Sequence, residues 1–334
     1  MTVVALPWLH SVVMEILEDR GLVPPDAELV AEDLISADLE GIPTHGVGRL
    51  VLLDQALAAR QGRPTVVTSK GAVEAIDANR ELGVLAVSYA VERAKALTTS
   101  FGVSVVTLRN FSRFGRLARI GSSLAEASLV GIVMTNAGPS AVAPFGGMDP
   151  VYGTNPLCLA FPARPDPVVI DFATSAAPWG AIRHAMLAGS ALPDGAFLDA
   201  KGNPATDPLD VHAVMAFGGA KGSALCAAIE LLCGGLVAGC VGTEVQDEYD
   251  LVAIVVALDP ECFGGLSAIE GASERLKAQV DAARGNARLP GTGAASRRRV
   301  AVASGRVEVA EGVLDAMDRI RRGEEPVASN RLTN

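Results

Sequence analysis

The chain has 334 residues, of which 49% are hydrophobic, 20% charged and only 4% aromatic, and it carries a net charge of −10 with a pI near 5.0. That balance excludes a general affinity for nucleic acid or anionic membrane, and the scarcity of aromatic residues excludes a base-stacking platform. A chain of this length and hydrophobicity can bury a large core and is expected to divide into two domains.

The five cysteines (Cys158, Cys226, Cys233, Cys240 and Cys262) show no CxxC and no His–Cys pattern, so no metal site is predicted. An odd count without framework spacing favours a reducing compartment. Met1–Leu17 lacks the basic start and long apolar run of a secretion signal, and no stretch reaches about 18 uninterrupted apolar residues. The expectation is a cytoplasmic protein with no membrane segment.

Residues 1–62 read as helical, with apolar spacing through Leu9, Val13, Ile16 and Leu17, and a second helix from Pro24-Pro25-Asp26 towards Leu39. Residues 65–76 look extended, and Leu82–Leu97 helical. The run Gly102–Leu108 is a buried strand, followed by a turn at Asn110–Gly115, a helix to about Ser128 and a strand at Gly131–Asn136. Loops punctuated by glycine and proline fill 136–156. Strands are expected at Leu157–Phe161 and Pro167–Asp171, a helix at about Ala176–Leu187, and a turn-rich connector over 193–208. Lys221–Val237 is a long apolar helix with few charges, to be placed centrally or at an interface. On it Cys226, Cys233 and Cys240 recur every seven residues as buried small side chains. A strand at Leu251–Leu258 and helices at about Ser267–Arg284 and Val309–Arg322 complete the reading, and the tail after Gly323 is read as frayed.

Helices at both ends around a mixed middle predict one helical domain from residues 1–64 and 290–334, and one α/β domain over 65–289. No GxGxxG follows a first strand, so a Rossmann crevice is unsupported, and GxSxG and Walker A patterns are missing too.

The stretch Asp38–Leu50, DLEGIPTHGVGRL, holds one of four histidines. Its spacing predicts a helix start at Thr44-His45-Gly46, with Thr44 as the cap and with His45 and Arg49, four apart, on one face. An imidazole beside a guanidinium suits proton transfer to a 2-oxo or 2-imino acid whose carboxylate the arginine holds. From spacing alone, a capping histidine beside a surface arginine is the simpler account. Three further loops carry hydroxyls, glycines or cations: Asp171-Phe172-Ala173-Thr174-Ser175, Gly218-Gly219-Ala220-Lys221-Gly222, and Leu289-Pro290-Gly291-Thr292-Gly293 with Arg297–Arg299 close behind. A turn or a cap explains each alone. Together they outline a pocket for a phosphorylated cofactor, with Asp171 available to ribose hydroxyls and Lys221 to phosphate.

The order DLEGIPTHGVGRL, NFSRFG, TNAGPSAVAPFGG, YGTNPLCLAFP, VVIDFATS, DAKGNPATDP, FGGAKGSALCAAIELLCGGLVAG and RLPG resembles the malate/L-lactate dehydrogenase-like oxidoreductases, from about residue 10 to 320. This family is distinct from the Rossmann-type lactate dehydrogenases and includes sulfolactate and ureidoglycolate dehydrogenases and piperideine/pyrroline-2-carboxylate reductases. The resemblance implies a homodimer with a non-Rossmann NAD(P)-binding fold, in which a mainly antiparallel mixed sheet is joined to a helical domain from both termini. It implies that His45 gives the proton, Thr44 orients it and Arg49 holds the substrate carboxylate. It also implies that Asp171, Ala173, Thr174, Ser175, Lys221, Gly222, Pro290 and Gly291 bind NADPH or NADH, NADPH slightly favoured, and that Asn136, Thr154 and Asn155 line the same cleft.

Two departures from the family pattern stand out. Arg113 replaces the usual histidine of the N-x-x-H-F-G turn, and an arginine stays protonated, so it cannot shuttle a proton. It can instead bind a second acidic group in the catalytic pocket. Ala181 replaces the usual lysine of A-R-G-K, and His184, about one helical turn on, is read as a surface residue. The expected activity is NAD(P)H-dependent reduction, or the reverse, at C2 of a small 2-oxo acid or cyclic 2-imino carboxylate, with the lost histidine tilting towards the imine. The competing expectation is a non-redox descendant that uses the pocket for binding or lyase chemistry.

Overall fold

A computed structural model gives the fold and describes residues 1–324, together with all side chains there except those of Arg183, His184, Leu187 and Ala188. Most of the tail beyond Gly323 therefore lies outside the described residues. Strand β1 (Thr2–Ala5) leads into α1 (Leu6–Asp19) and α2 (Pro24–Leu39). Two 3-10 turns, Pro43–His45 and Val47–Leu52, precede the short helix α3 (Leu53–Ala58). Then come β2 (Thr65–Lys70), β3 (Val73–Glu81), α4 (Gly83–Phe101), β4 (Val103–Phe111), α5 (Leu117–Glu126) and β5 (Val130–Thr135). The loop-rich middle holds β6 (Val142–Ala143), β7 (Leu157–Phe161), β8 (Val168–Phe172), α6 (Gly180–Ala188), β9 (Phe197–Leu198) and β10 (Ala213–Met215). The rest is α7 (Ala220–Cys233), β11 (Val252–Leu258), α8 (Leu266–Asp281), α9 (Thr292–Ser304), β12 (Arg306–Val309) and α10 (Glu311–Arg321).

Seven strands form the central sheet in the order β2-β3-β4-β11-β5-β7-β8. Only β3 and β4 run parallel, joined across α4, and every other pair is antiparallel. The mixed, mainly antiparallel sheet is the one the family resemblance implies. Strand β11 is apolar at every position because it is paired on both edges and covered on both faces. Helices α4 and α5 pack on one face around Val91, Leu108, Leu124 and Val255. Helix α7 lies on the other, where Ile229 and Cys233 meet Val252 and Ile254.

A separate apolar cluster joins α1, α2 and the Val47–Leu52 turn to Val307, Val309, Met317 and Ile320. Strand β1 pairs antiparallel with β12, from Thr2 opposite Val309 to Ala5 opposite Arg306. These two four-residue strands and helix α9 are absent from the sequence reading. The apolar helix is shorter than its hydropathy predicts: α7 stops at Cys233, because a Cβ on Gly234 would sit 2.1 Å from the Cys240 carbonyl and the chain folds back there. Cys240 accordingly lies beyond the helix and is only partly buried, unlike Cys226 and Cys233. The span Ala220–Val237 is long and apolar enough to cross a membrane by length and composition. Its middle carries Glu230, a buried carboxylate that accepts from the amides of Gly153 and Gly242 and from Asn155 Nδ2.

Candidate active site

Thr44, His45 and Arg49 do not share one helix. His45 ends the first 3-10 turn, Gly46 is extended (φ −84°, ψ −161°), and Arg49 belongs to the second turn. The four-residue spacing argument fails at that break, and Thr44 caps nothing. Its Oγ1 instead lies 3.1 Å from His45 Nδ1. The break is made by Asp38 at the end of α2: its Oδ2 accepts the Val47 amide at 2.8 Å, and a Cβ on Gly46 would fall 2.0 Å from Oδ1. Asp38 is buried, and loss of water raises its carboxyl to about 6 despite the Val47 amide and Arg116. His45 is half-buried, and desolvation, then the charges of Arg49 and Arg116, lower its pKa to about 4. The imidazole is neutral at physiological pH.

Arg49 reaches the turn after β4, with Nη1 3.5 Å from the Phe114 carbonyl. Burial and the neighbouring Arg113 charge lower its pKa, while Asp33 and Glu248 oppose that shift. Arg113 thus stands at the same cleft. Its side chain is 60% exposed, its backbone amide donates to Glu248 Oε2 at 3.2 Å, and its Nε lies 3.8 Å from that oxygen. Sequence reading passed over the cation beneath both, Arg116, which is buried and pairs with Glu40 and with Ser36 Oγ. Glu40 in turn offers its carbonyl to Arg297 Nε at 2.7 Å, so α9 is fastened to the chain just ahead of His45.

The cofactor-candidate loops come together along β8. Asp171 Oδ2 accepts the Ala118 amide at the start of α5, at 2.9 Å, and shielding by the surrounding protein raises its carboxyl against the pull of that amide and Arg116. A β-bridge pairs Ser175 with Ala216, and Phe217 donates to the Thr174 carbonyl, which brings residues 171–175 against the Gly218–Gly222 turn. Ala173, in the first of these segments, is half-buried. Ser175 Oγ is buried with no hydrogen-bond partner among the described residues. Lys221 is exposed in the first turn of α7. Pro290 is exposed, and Gly291 (φ +84°) begins α9 so close to β8 that a Cβ would lie 2.3 Å from the Val169 carbonyl.

Several predicted residues take a supporting place. Asn136 and Asn155 are fully buried, and their amides are spent within the protein: Asn136 on Cys240 O and the Val252 amide, Asn155 on Cys226 O, Glu230 and the Ala137 amide. Thr174 Oγ1 donates towards the Thr154 and Asn155 carbonyls. Their side chains do not line a cleft; they hold the backbone behind it. Gly222 is required by the Phe217 carbonyl, 1.8 Å from where a Cβ would lie. Ala181 packs on the small apolar cluster around Phe197 and Val214, while the side chain of His184 lies outside the described residues.

The Thr44–His45 pair and Arg49 meet the turn after β4 beside a non-Rossmann mixed sheet, and comparison with known proteins gives the family. The pattern of the malate/L-lactate dehydrogenase family matches residues 4–318, and the chain belongs to that family. It is 33% identical to a (2R)-3-sulfolactate dehydrogenase (NADP(+)) of Chromohalobacter salexigens, covering 94% of this chain and 96% of that protein. It is also 33% identical to a Delta(1)-pyrroline-2-carboxylate reductase of Burkholderia ambifaria, covering 86% and 88%. The crystal structure of delta1-piperideine-2-carboxylate reductase from Pseudomonas syringae pvar. tomato superposes with a TM-score of 0.84 at 29% identity, over 96% of this chain and all of that one. The protein is an NAD(P)-dependent oxidoreductase of small acids.

Proposed function

We propose that the chain reduces C2 of a small 2-oxo acid or cyclic 2-imino carboxylate, with NADPH favoured over NADH. The observation that carries this reading is the junction of the Thr44–His45 pair and Arg49 with the turn bearing Arg113. The orphaned Ser175 hydroxyl and the unpaired Lys221 at the start of α7 fit a phosphorylated dinucleotide, with Asp171 offering its remaining carboxylate oxygen to a sugar hydroxyl. When bound, that cofactor supplies or takes the hydride at C2.

The chain's own part is binding and proton handling. Arg49 takes the substrate carboxylate, which orients C2 beside His45. Thr44 on Nδ1 leaves Nε2 as the free ring nitrogen. Loss of water, then the charges of Arg49 and Arg116, keeps His45 neutral, and a carboxylate on Arg49 offsets one of those charges. The affinity of the imidazole for a proton rises as the substrate carboxylate answers Arg49, and the ring passes that proton to the new alkoxide or amine.

The reading extends to the assembly and its setting. The division into a helical domain of residues 1–64 with 290–334 and a sheet domain of 65–289 is supported by the separate apolar clusters. A homodimer is supported by Leu231 and Leu236, 67% and 65% exposed on and just after α7. The five free thiols support a cytoplasmic location.

Titration with NADPH and NADH, followed by turnover of 2-oxo and cyclic 2-imino acids, tests the activity. His45→Ala is expected to bind cofactor like the parent and to lose roughly 10²–10⁴-fold in kcat. A variant retaining full kcat removes His45 from the chemistry.

A further inference from the structure

We infer that Arg116 is a positioning residue for the reduction, a buried cation that holds the proton donor of the helical layer in place against the cofactor loop of the sheet. The inference rests on the reductase reading and assigns that site a further working part.

Arg116 is the residue before α5, and its side chain is 7% exposed. It crosses to the end of α2, where Nη1 pairs with Glu40 Oε2 and Nη2 donates to Ser36 Oγ at 3.3 Å. Its neighbours in the chain reach the rest of the site. Two residues earlier the Phe114 carbonyl accepts from Arg49 Nη1, and two residues later the Ala118 amide donates to Asp171 Oδ2. Residues 114–118 therefore touch the arginine assigned to the substrate, the root of the His45 turn and the carboxylate assigned to the cofactor. The approach to α2 is close, because a Cβ on Gly115 would fall 2.4 Å from Asp33 Oδ2. A simple tie between α5 and α2 already exists nearby, where Arg119 pairs with Glu32 at 2.7 Å in a half-exposed place. A buried cation is costlier than such a pair and persists only where hydrogen bonds and an opposite charge answer it.

The charge of Arg116 has its own effect on His45. The ionic groups around the His45 turn come from four elements: Asp33, Asp38 and Glu40 from α2 and its end, Arg49 from the second 3-10 turn, Arg116 from the start of α5, and Arg297 from α9. Asp38 is spent on the Val47 amide and Arg297 on the Glu40 carbonyl. A substrate carboxylate answers Arg49. Arg116 is enclosed by protein, so its charge stays through the reaction and keeps the imidazolium a ready acid.

The test compares Arg116→Met and Arg116→Lys with the parent. NADPH binding is followed by fluorescence, and turnover is measured on 2-oxobutanedioate, 2-oxobutanoate and 1-pyrroline-2-carboxylate. The His45 pKa is read from its imidazole signals by NMR. Arg116→Met is expected to fold and bind NADPH as the parent does, and to lose about 10–100-fold in kcat. Its His45 pKa is expected to lie above the parent's value of about 4. Arg116→Lys keeps the charge without the planar fork, so it is expected to return the His45 pKa to the parent's and to recover only part of kcat. Should Arg116→Met fail to fold by circular dichroism, Arg116→Lys decides alone: a lowered kcat at the parent's His45 pKa supports the role, and the parent's kcat overturns it. In folded Arg116→Met, a kcat within about two-fold of the parent overturns the inference. So does a loss of kcat that comes with an equal loss of NADPH binding or with an unmoved His45 pKa, since either marks a structural tie. All of these outcomes leave the reductase reading intact, whereas a parent that binds NADPH and turns over none of the three acids overturns both.

Discussion

Burial, then the charges of Arg49 and Arg116, holds the His45 imidazole at a pKa of about 4. That makes the histidine's titration a direct report on Arg49. In Arg49→Gln one nearby cation is gone while desolvation and Arg116 remain, so the His45 pKa is expected to rise only part of the way from about 4 back to its ordinary value, readable from its imidazole signals by NMR. A value unmoved by the substitution refutes a contribution from Arg49 and leaves desolvation and Arg116 as the causes. His45 and Arg49 were legible as a pair because histidines are scarce in this chain and the arginine follows within five positions. The groups that tune them were not. Arg116 pairs with Glu40 across 76 positions of sequence, and Asp38 grips Val47 across a break in the helix that no helical period predicts. Spacing along a chain carries no information about such contacts.

At the scale of elements, the loops around β8 owe their shape to one carboxylate on α7. Glu230 collects two backbone amides and the Asn155 side chain, and Asn155 and Thr174 then fix the strand end that carries Ser175. Removing it strands three donors in a buried place, each costing on the order of 1–3 kcal/mol. Glu230→Ala is therefore expected to lower Tm by several degrees and to weaken cofactor binding more than ten-fold, both measured on the same preparation by calorimetry and fluorescence titration. An unchanged cofactor affinity would separate the α7 network from the pocket. The long elements here could be read from sequence because their periodicity is local. Helix α2 runs over Pro24–Leu39 and β7 over Leu157–Phe161, as expected, and β4 was found but carries on to Phe111. Helix α9 has no buried residue and so no apolar stripe to announce it. The two-residue strands β6 and β9 are too short to show alternation.

Over the whole molecule, α7 lies on one face of the central sheet with Leu231, Leu232 and, just beyond it, Leu236 exposed, while Val105, Met134 and Val256 are only partly covered. A contiguous apolar surface of this kind is what a second copy would bury. The paired substitution Leu231→Glu with Leu236→Glu is expected to convert a dimer to a monomer in light scattering, while the single chain keeps its fold by circular dichroism. A parent protein that is already monomeric at micromolar concentration disproves the assignment of this face.

The β1–β12 ladder has a consequence in time. A ribosome makes the turn that carries His45 early, yet the layer around it closes only when Arg306–Val309 emerge to pair with Thr2–Ala5 and Met317 and Ile320 reach the same cluster. The central sheet can assemble in the meantime from contacts already synthesised. The layer around His45 is therefore the last to close, and a nascent chain halted before residue 306 lacks the strand that pairs with Thr2–Ala5.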